Sequence, residues 1–334
     1  MLRLAPFRYH RPRTLDEALG LLAEKGGEAL PIAGGTDLLP NMKHRLVAPA
    51  ELVALKQLAE LRGVDESDVA LSIGACETLS SVARDPRVRQ YFPSLARAAG
   101  SVAGPQLRNM GTLGGNLCLD TRCTYYNQTY FWRKALGFCL KKDGQVCHVT
   151  RVGKKCVAAH SADTPPVLMT LGATVELASA AGRRTVPVTE FFVADGVANT
   201  VRRPGELVTR ITIPLPGPGL RTSYQKLRQR NAIDFPLLSV AAAAELEGDD
   251  VVRDLRVVVS ALGSRPRVLT GLERIAVGRR ITDEDVIEGV AERAFQQCHP
   301  LANITVDPDW RRAMVPVYVR RALAELAGAA AVAA

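Results

Sequence analysis

The sequence predicts an α+β protein. Amphipathic helical segments stand near both ends, alternating apolar–polar strands fill the stretches between, and a Pro-Leu-Pro-Gly-Pro-Gly run at residues 214–219 divides two such mixtures. A chain of 334 residues can bury a large core and divides into two or three domains. Hydrophobic residues at 47% and charged residues at 23% are ordinary for a soluble globular protein. The formal charge is +9, yet aromatics are only 5% and the arginines are scattered, so no nucleic acid is expected. Solvation or an acidic protein partner accounts for the charge better. No apolar run approaches a membrane span: the Ala-rich tail over 323–334 is too short and begins inside a helix. No repeat of fixed period is present.

In chain order, residues 7–27 open with a helix. Thr14-Leu15-Asp16-Glu17 is a capping box, Leu15, Ala18, Leu19, Leu22 and Ala23 share one face, and Gly26-Gly27 ends the helix. Residues 29–40 are a short apolar strand that runs through two glycines into a helical segment over 39–44. Consecutive glycines let backbone N–H groups approach an anion, and Thr36 adds a hydroxyl; alone, Gly-Gly-Thr-Asp is a weak motif, since most strand–Gly-Gly turns are merely tight turns. It is neither a dinucleotide fingerprint nor a Walker loop. Strands follow at 52–58 and 69–73, and helices at 79–84 and 91–100. Residues 106–116 form a second Gly-rich turn, and Ser161-Ala-Asp-Thr-Pro-Pro166 caps a short helix over 167–171. Strands at 173–178, 184–187 and 207–214 lead to the Pro/Gly run. Beyond it, 221–246 reads as a hairpin with its second strand at 237–246, a third strand covers 251–261, and helices cover 266–277, 284–298 and 310–326. Cys76 reads as a core thiol, and Cys298, beside His299, as a helix-end thiol.

Four of the seven cysteines, Cys123, Cys139, Cys147 and Cys156, fall in a polar, Lys-rich segment with little apolar periodicity, and Cys118 just precedes them. Such a segment cannot order itself by burial, so something must staple it. The N-terminus shows no apolar signal region, which predicts a cytoplasmic protein with reduced thiols and argues against disulfides. Structural zinc prefers close C-x2-4-C pairs, whereas the gaps here are fifteen, seven and eight residues. An iron–sulfur cluster takes four thiolates, though this is not the ferredoxin spacing. Unrelated buried thiols are the bland alternative. On these residues the cluster leads zinc narrowly.

Taken together, Pro31-Ile-Ala-Gly-Gly-Thr-Asp-Leu38, Ile73-Gly-Ala75, Gly111-Thr-Leu-Gly-Gly-Asn116, Ser161-Ala-Asp-Thr-Pro-Pro166, Gly205-Glu-Leu-Val-Thr-Arg-Ile-Thr-Ile-Pro214, and Lys226 with Asp234-Phe-Pro236 resemble the FAD-binding subunits of the molybdenum hydroxylases. That family includes xanthine and carbon monoxide dehydrogenases, and the likeness covers nearly the whole chain. It implies a two-subdomain FAD-binding fold of the vanillyl-alcohol-oxidase/PCMH type followed by an α+β domain with a three-stranded sheet. The boundaries expected are 1–57, 58–216 with an insert at about 117–160, and 221–330. A four-cysteine insert at this place is similar to the β subunits of 4-hydroxybenzoyl-CoA reductases, where it carries a [4Fe–4S] cluster beside the flavin.

By that resemblance, Pro31, Ile32, Ala33, Gly34, Gly35, Thr36, Asp37 and Leu38 grip the FAD pyrophosphate, with Val102, Thr112 and Asn116 adding contacts. Asp163 binds a sugar or ribityl hydroxyl in place of its plain role as a helix N-cap, and Lys226 approaches the flavin ring. Cys123, Cys139, Cys147 and Cys156 hold the cluster, with Cys118 as the rival for one place. No residue of this chain is catalytic. The resemblance implies a ferredoxin donor, a large molybdenum subunit, a small subunit with two [2Fe–2S] clusters, and a dimer of heterotrimers. Electrons enter at the [4Fe–4S] cluster, pass to FAD and leave toward molybdenum, where 4-hydroxybenzoyl-CoA loses its phenolic hydroxyl. Lys141, Lys142, Lys154 and Lys155 raise the cluster potential and attract the acidic donor, unless they are simply solvated. The rivals are the FAD subunit of another molybdenum hydroxylase and a zinc-stabilised binding module without redox chemistry.

Overall fold

In a computed structural model, which describes residues 2–150 and 153–328, the chain forms three sheets with helices between them. The first sheet is parallel, with β3 (Glu51–Ala54) between β1 (Arg8–His10) and β2 (Ala29–Ile32). The opening segment thus begins as a strand, with the helix Leu15–Lys25 following. Thr14 caps this helix by accepting from the Glu17 N–H, while the Glu17 carboxylate reaches back to the Arg13 N–H. Its buried Leu15, Ala18, Leu19 and Leu22 pack with Val53, Leu58 and Leu61. The strand expected over 52–58 stops at Ala54, because Leu55 and Leu58 close a tight turn through the Leu58 N–H and the Leu55 carbonyl.

The second sheet is antiparallel, in the order β4 (Val64–Glu66), β5 (Ala70–Gly74), β8 (Leu207–Pro214), β6 (Thr174–Ser179) and β7 (Gly182–Pro187). Helices Leu79–Arg84, Pro93–Ser101 and Thr164–Thr170 cover it around a core that includes Ile73, Phe92, Leu95, Leu168 and Ile211. The helix expected over 91–100 begins at Pro93, since proline sits well at the first helical position; Tyr91 ends a separate helix, Pro86–Tyr91.

The third sheet has four antiparallel strands: β9 (Leu220–Leu227), β10 (Leu238–Glu247), β11 (Val251–Ser260) and β12 (Arg267–Val268), in the order β12-β11-β10-β9. This corrects both the three-stranded sheet and the helix over 266–277. Pro266 and the left-handed Gly271 (φ +80°) interrupt the helical spacing, and only Glu273–Ala276 is helical. Helices Glu284–Gln297 and Pro308–Leu326 pack on this sheet through Val290, Ala294, Val319 and Leu323. Residues 329–334, the end of the Ala-rich tail, lie outside the described residues. Among the described residues no helix is long and apolar enough to cross a membrane.

The two Gly-rich turns touch. A Cβ on Gly34 would lie 2.0 Å from the Met110 carbonyl oxygen, so only glycine lets the backbones meet. Gly34→Ala is expected to lower stability by about 3 kcal/mol, because the clash is with backbone that cannot rotate away. By contrast, Gly20→Ala, on the exposed face of Leu15–Lys25 with nothing within 4 Å of the added carbon, is expected to raise it by about 0.5–1 kcal/mol. Urea unfolding midpoints of the two variants check the contrast.

Candidate functional site

Pro31 and Ile32 end β2, residues 33–36 form the turn, and Asp37 precedes the helix Leu38–Lys43. Gly35 takes a positive φ of +71°, and a Cβ on Gly111 would stand 3.3 Å from the Thr36 hydroxyl. Small residues in both turns therefore let the two backbones lie against each other, the kind of glycine-rich close approach in which backbone N–H groups can meet a pyrophosphate. Thr112 caps the helix Leu113–Leu117 by accepting from the Gly115 N–H at 3.1 Å. Asn116 Oδ1 accepts from the Thr164 N–H at 3.1 Å and the Thr164 hydroxyl at 2.7 Å. The second Gly turn and the Asp-Thr-Pro-Pro turn are thus tied directly, 48 residues apart in sequence.

Asp163 makes no side-chain cap to the helix it precedes. Its carboxylate is buried, accepts from the Tyr224 hydroxyl, and pairs with Lys226 Nζ at 3.0 Å. Lys226 also donates to the Ser101 carbonyl at 3.1 Å, one residue before the half-buried Val102. Burial pushes the Asp163 carboxyl up and the Lys226 ammonium down, and their contact opposes both shifts. The structure thus brings Asp163, Lys226 and the Val102 segment together. Tyr224 was missed, although it stands two residues before Lys226 on β9 and so shares its face.

Residues 117–160 leave this site and return to it. They contain eight basic residues and two acidic ones. Their regular structure is the short helix Tyr130–Ala135. Cys123, Cys139, Cys147 and Cys156 line one cavity with Tyr125, Tyr126, Lys141 and His148. Cys118 instead ends the helix Leu113–Leu117 and packs on the core of the second sheet. Among the described residues no three His, Cys, Asp or Glu side chains converge closely enough to hold a single metal ion. Burial pushes the Cys123 thiol up to about 11 and Cys156 up as well. Burial raises Cys147 too, but the polar groups near it, Thr150 and the backbone N–H groups of Val149 and Val157, outweigh it and hold that thiol low. Gly196 leans on the cavity from another loop: a Cβ there would stand 2.7 Å from Cys156 Sγ.

Of the four lysines singled out in the sequence, Lys141 alone lines the cavity. Its side chain is almost fully covered, and its Nζ donates to Asp120 at 2.6 Å and to Thr121 and lies 4.4 Å from the centre of the Tyr126 ring. Lys142 is half-buried, and Lys154 and Lys155 are exposed. Arg122, just before Cys123, pairs with Asp37 of the first Gly turn and covers the Phe235 ring at 4.6 Å. One side chain therefore joins the glycine turns, the cysteine segment and the Asp234-Phe-Pro motif. Nothing in the sequence around Arg122 announces that role.

The family "FAD binding domain in molybdopterin dehydrogenase" matches residues 5–216, and "CO dehydrogenase flavoprotein C-terminal domain" matches 222–326. The chain is 31% identical to the aldehyde oxidoreductase FAD-binding subunit of Escherichia coli, over 90% of this chain and 92% of that one. It is 28% identical to the carbon monoxide dehydrogenase medium chain of Hydrogenophaga pseudoflava, over 95% and 96%. Among solved structures, carbon monoxide dehydrogenase of H. pseudoflava superposes with a TM-score of 0.80 at 26% identity, over 98% and 99% of the chains. Quinoline 2-oxidoreductase of Pseudomonas putida gives 0.79 at 28% identity, over 98% of each. With its glycine turns, its Asn116–Thr164 tie and this match along almost its whole length, the chain belongs to the FAD-binding subunits of the molybdenum hydroxylases, a family of oxidoreductases.

Proposed function

We propose that this chain is the flavin and iron–sulfur electron-transfer subunit of a 4-hydroxybenzoyl-CoA reductase, an enzyme of aromatic degradation. The observation that carries the proposal is the convergence of Cys123, Cys139, Cys147 and Cys156 on one cavity, in a segment whose two ends meet at the FAD-binding turns. The four thiols line one small cavity, and a [4Fe–4S] cubane takes four thiolates, while their sequence spacing lacks the close pairs that structural zinc prefers. Bound there, the cluster would supply a one-electron carrier beside FAD, which exchanges one or two electrons. The four cysteines would be its ligands, Lys141 and the Cys147 N–H donors would offset thiolate charge, and Tyr126 and burial would limit water. The FAD family match removes the reading as a binding module without redox chemistry.

The chemistry at the substrate belongs to other subunits in this reading: a large molybdenum subunit and a small one with two [2Fe–2S] clusters, in a dimer of heterotrimers. The relatives' designations as medium chains and FAD-binding subunits are in keeping with a chain that works inside an assembly. A ferredoxin is the proposed donor. The insert's excess of basic residues, with exposed Lys134 beside exposed Phe131 and Trp132, suits a small acidic carrier. The second reading keeps the same subunit role with another substrate, and the relatives favour it, since their designations cover carbon monoxide, aldehydes and quinoline.

Anaerobically purified protein is expected to carry about four irons with acid-labile sulfide, in keeping with one cubane, and one FAD. Cys139→Ser is expected to lose the iron while FAD is retained; one zinc per chain in a protein without iron would end the cluster proposal. The assembled complex, reduced by ferredoxin, is expected to dehydroxylate 4-hydroxybenzoyl-CoA. Turnover of an aldehyde or a purine instead would select the second reading. Lys226→Met strands the Asp163 carboxylate without its cation and is expected to cost about 3–5 kcal/mol and reduce flavin content. The double variant Asp163→Asn/Lys226→Met is expected to recover most of the stability but not the flavin, read from unfolding midpoints and the ratio of flavin to protein.

A further inference from the structure

A cleft of about 460 Å3 opens on the second sheet's helical layer, beside the start of the second Gly-rich turn, which supplies Arg108 and Asn109 to its wall. Its wall carries Arg84, Arg89, Arg97 and Arg108, with Ser80 and Asn109 as further polar groups and no carboxylate. None of the residues expected to contact FAD lines it. Four guanidiniums around one small space repel one another, so a site of this composition gains by taking an anion. Most of the positive charge is uncompensated. Arg97 pairs with Glu325 at 2.6 Å, but Arg89 Nε donates to the Ala83 carbonyl at 2.9 Å and Arg108 Nη1 to the Val102 carbonyl at 2.8 Å, contacts that orient a guanidinium without neutralising it. The volume lies within the roughly 300–1,000 Å3 of small-molecule sites, and planar guanidiniums match phosphate oxygens two at a time.

We propose that this cleft binds a phosphorylated small molecule of nucleoside-diphosphate size, at a site separate from FAD. Arg84, Arg89 and Arg108 bind phosphate oxygens, and Asn109 and Ser80 hydrogen-bond to the remainder. Because Arg108 also holds the Val102 carbonyl, a bound anion stiffens the segment that the flavin is expected to touch.

The test is calorimetric titration of the FAD-loaded protein with ADP, inorganic pyrophosphate and adenosine. ADP and pyrophosphate are expected to bind and adenosine not, with affinity falling as salt rises. Arg84→Gln/Arg89→Gln, both exposed in the native protein, is expected to weaken ADP at least tenfold while flavin content stays unchanged. Arg84→Lys/Arg89→Lys keeps the charge and is expected to recover part of that loss, which separates phosphate binding from a folding defect. The proposal is overturned if neither phosphate probe binds, if the Gln variant binds them as well as the parent, or if ADP binds only after FAD is stripped. Loss of partner subunits in the Gln variant, with no phosphate binding by the parent, would overturn it in favour of an acidic protein surface.

Discussion

The structure turns on a long excursion that must close. Between Asn116 and Thr164 the chain departs from the glycine turns, and the hydrogen bonds of Asn116 Oδ1 to the Thr164 N–H and hydroxyl require it to come back to the same point. Closing so long a loop is entropically costly, and this one has little apolar surface with which to offset the cost. Its small core is Tyr126 and Ala158 with Cys123, Cys139 and Cys156, packed against Leu46 from outside the loop, so sulfur makes up much of its interior. Backbone ties do part of the ordering: Arg122 and Ala159 exchange two hydrogen bonds at the neck, and Asn303 accepts from Thr124 and donates to Val157. Those ties hold the neck and the flank. The centre is left to whatever the four thiols share.

Charge burial follows the same geometry. Asp163 with Lys226, at the Asp-Thr-Pro-Pro turn, and Asp120 with Lys141, in the cysteine segment, are ion pairs whose lysines are almost fully covered. Taking such pairs out of water costs more than their attraction returns unless further hydrogen bonds complete them. Both have such bonds: Tyr224 and the Ser101 carbonyl for the first, Thr121 for the second. Their value is positional. Lys226 lies on β9 of the third sheet and Asp163 on the turn leading into the second sheet's helices, so the pair fixes those two layers against one another where the flavin is expected to lie.

The glycine turns, the strands beyond residue 173 and the capping of Leu15–Lys25 were legible because each depends on local rules of period, cap and turn. The short helix Glu273–Ala276 and strand Arg267–Val268 were not, since Leu269, Leu272 and Ala276 have helical spacing and only the pairing with Val258 and Val259 claims the start of that segment for the sheet. At the site, the sequence placed the cysteines in one segment but could not separate their cavity from Cys118, which the helix end at Leu117 directs elsewhere. Asp163 could be read only as an N-cap or a sugar ligand, because its two partners arrive from a strand some sixty residues on. Arg122 carries no local signal at all. Its significance is entirely tertiary.

The same contrast between local pattern and burial sorts the basic residues of the insert by the work each can do. In sequence Lys141, Lys142, Lys154 and Lys155 are equivalent, a scatter of cations among cysteines. A charge in water is screened over about 8 Å at physiological salt, whereas a buried one acts through a much lower effective dielectric. Lys142, Lys154 and Lys155 therefore contribute to the field that an approaching partner meets and little to the cavity itself. Lys141, held between Asp120, Thr121 and the face of Tyr126, points its charge into the wall of the cavity. If four thiolates and an inorganic cluster occupy that space, Lys141 is the cation able to favour the more reduced, more negative state. Docking and tuning, which the sequence could only assign to the lysines together, fall to different side chains once their burial is known.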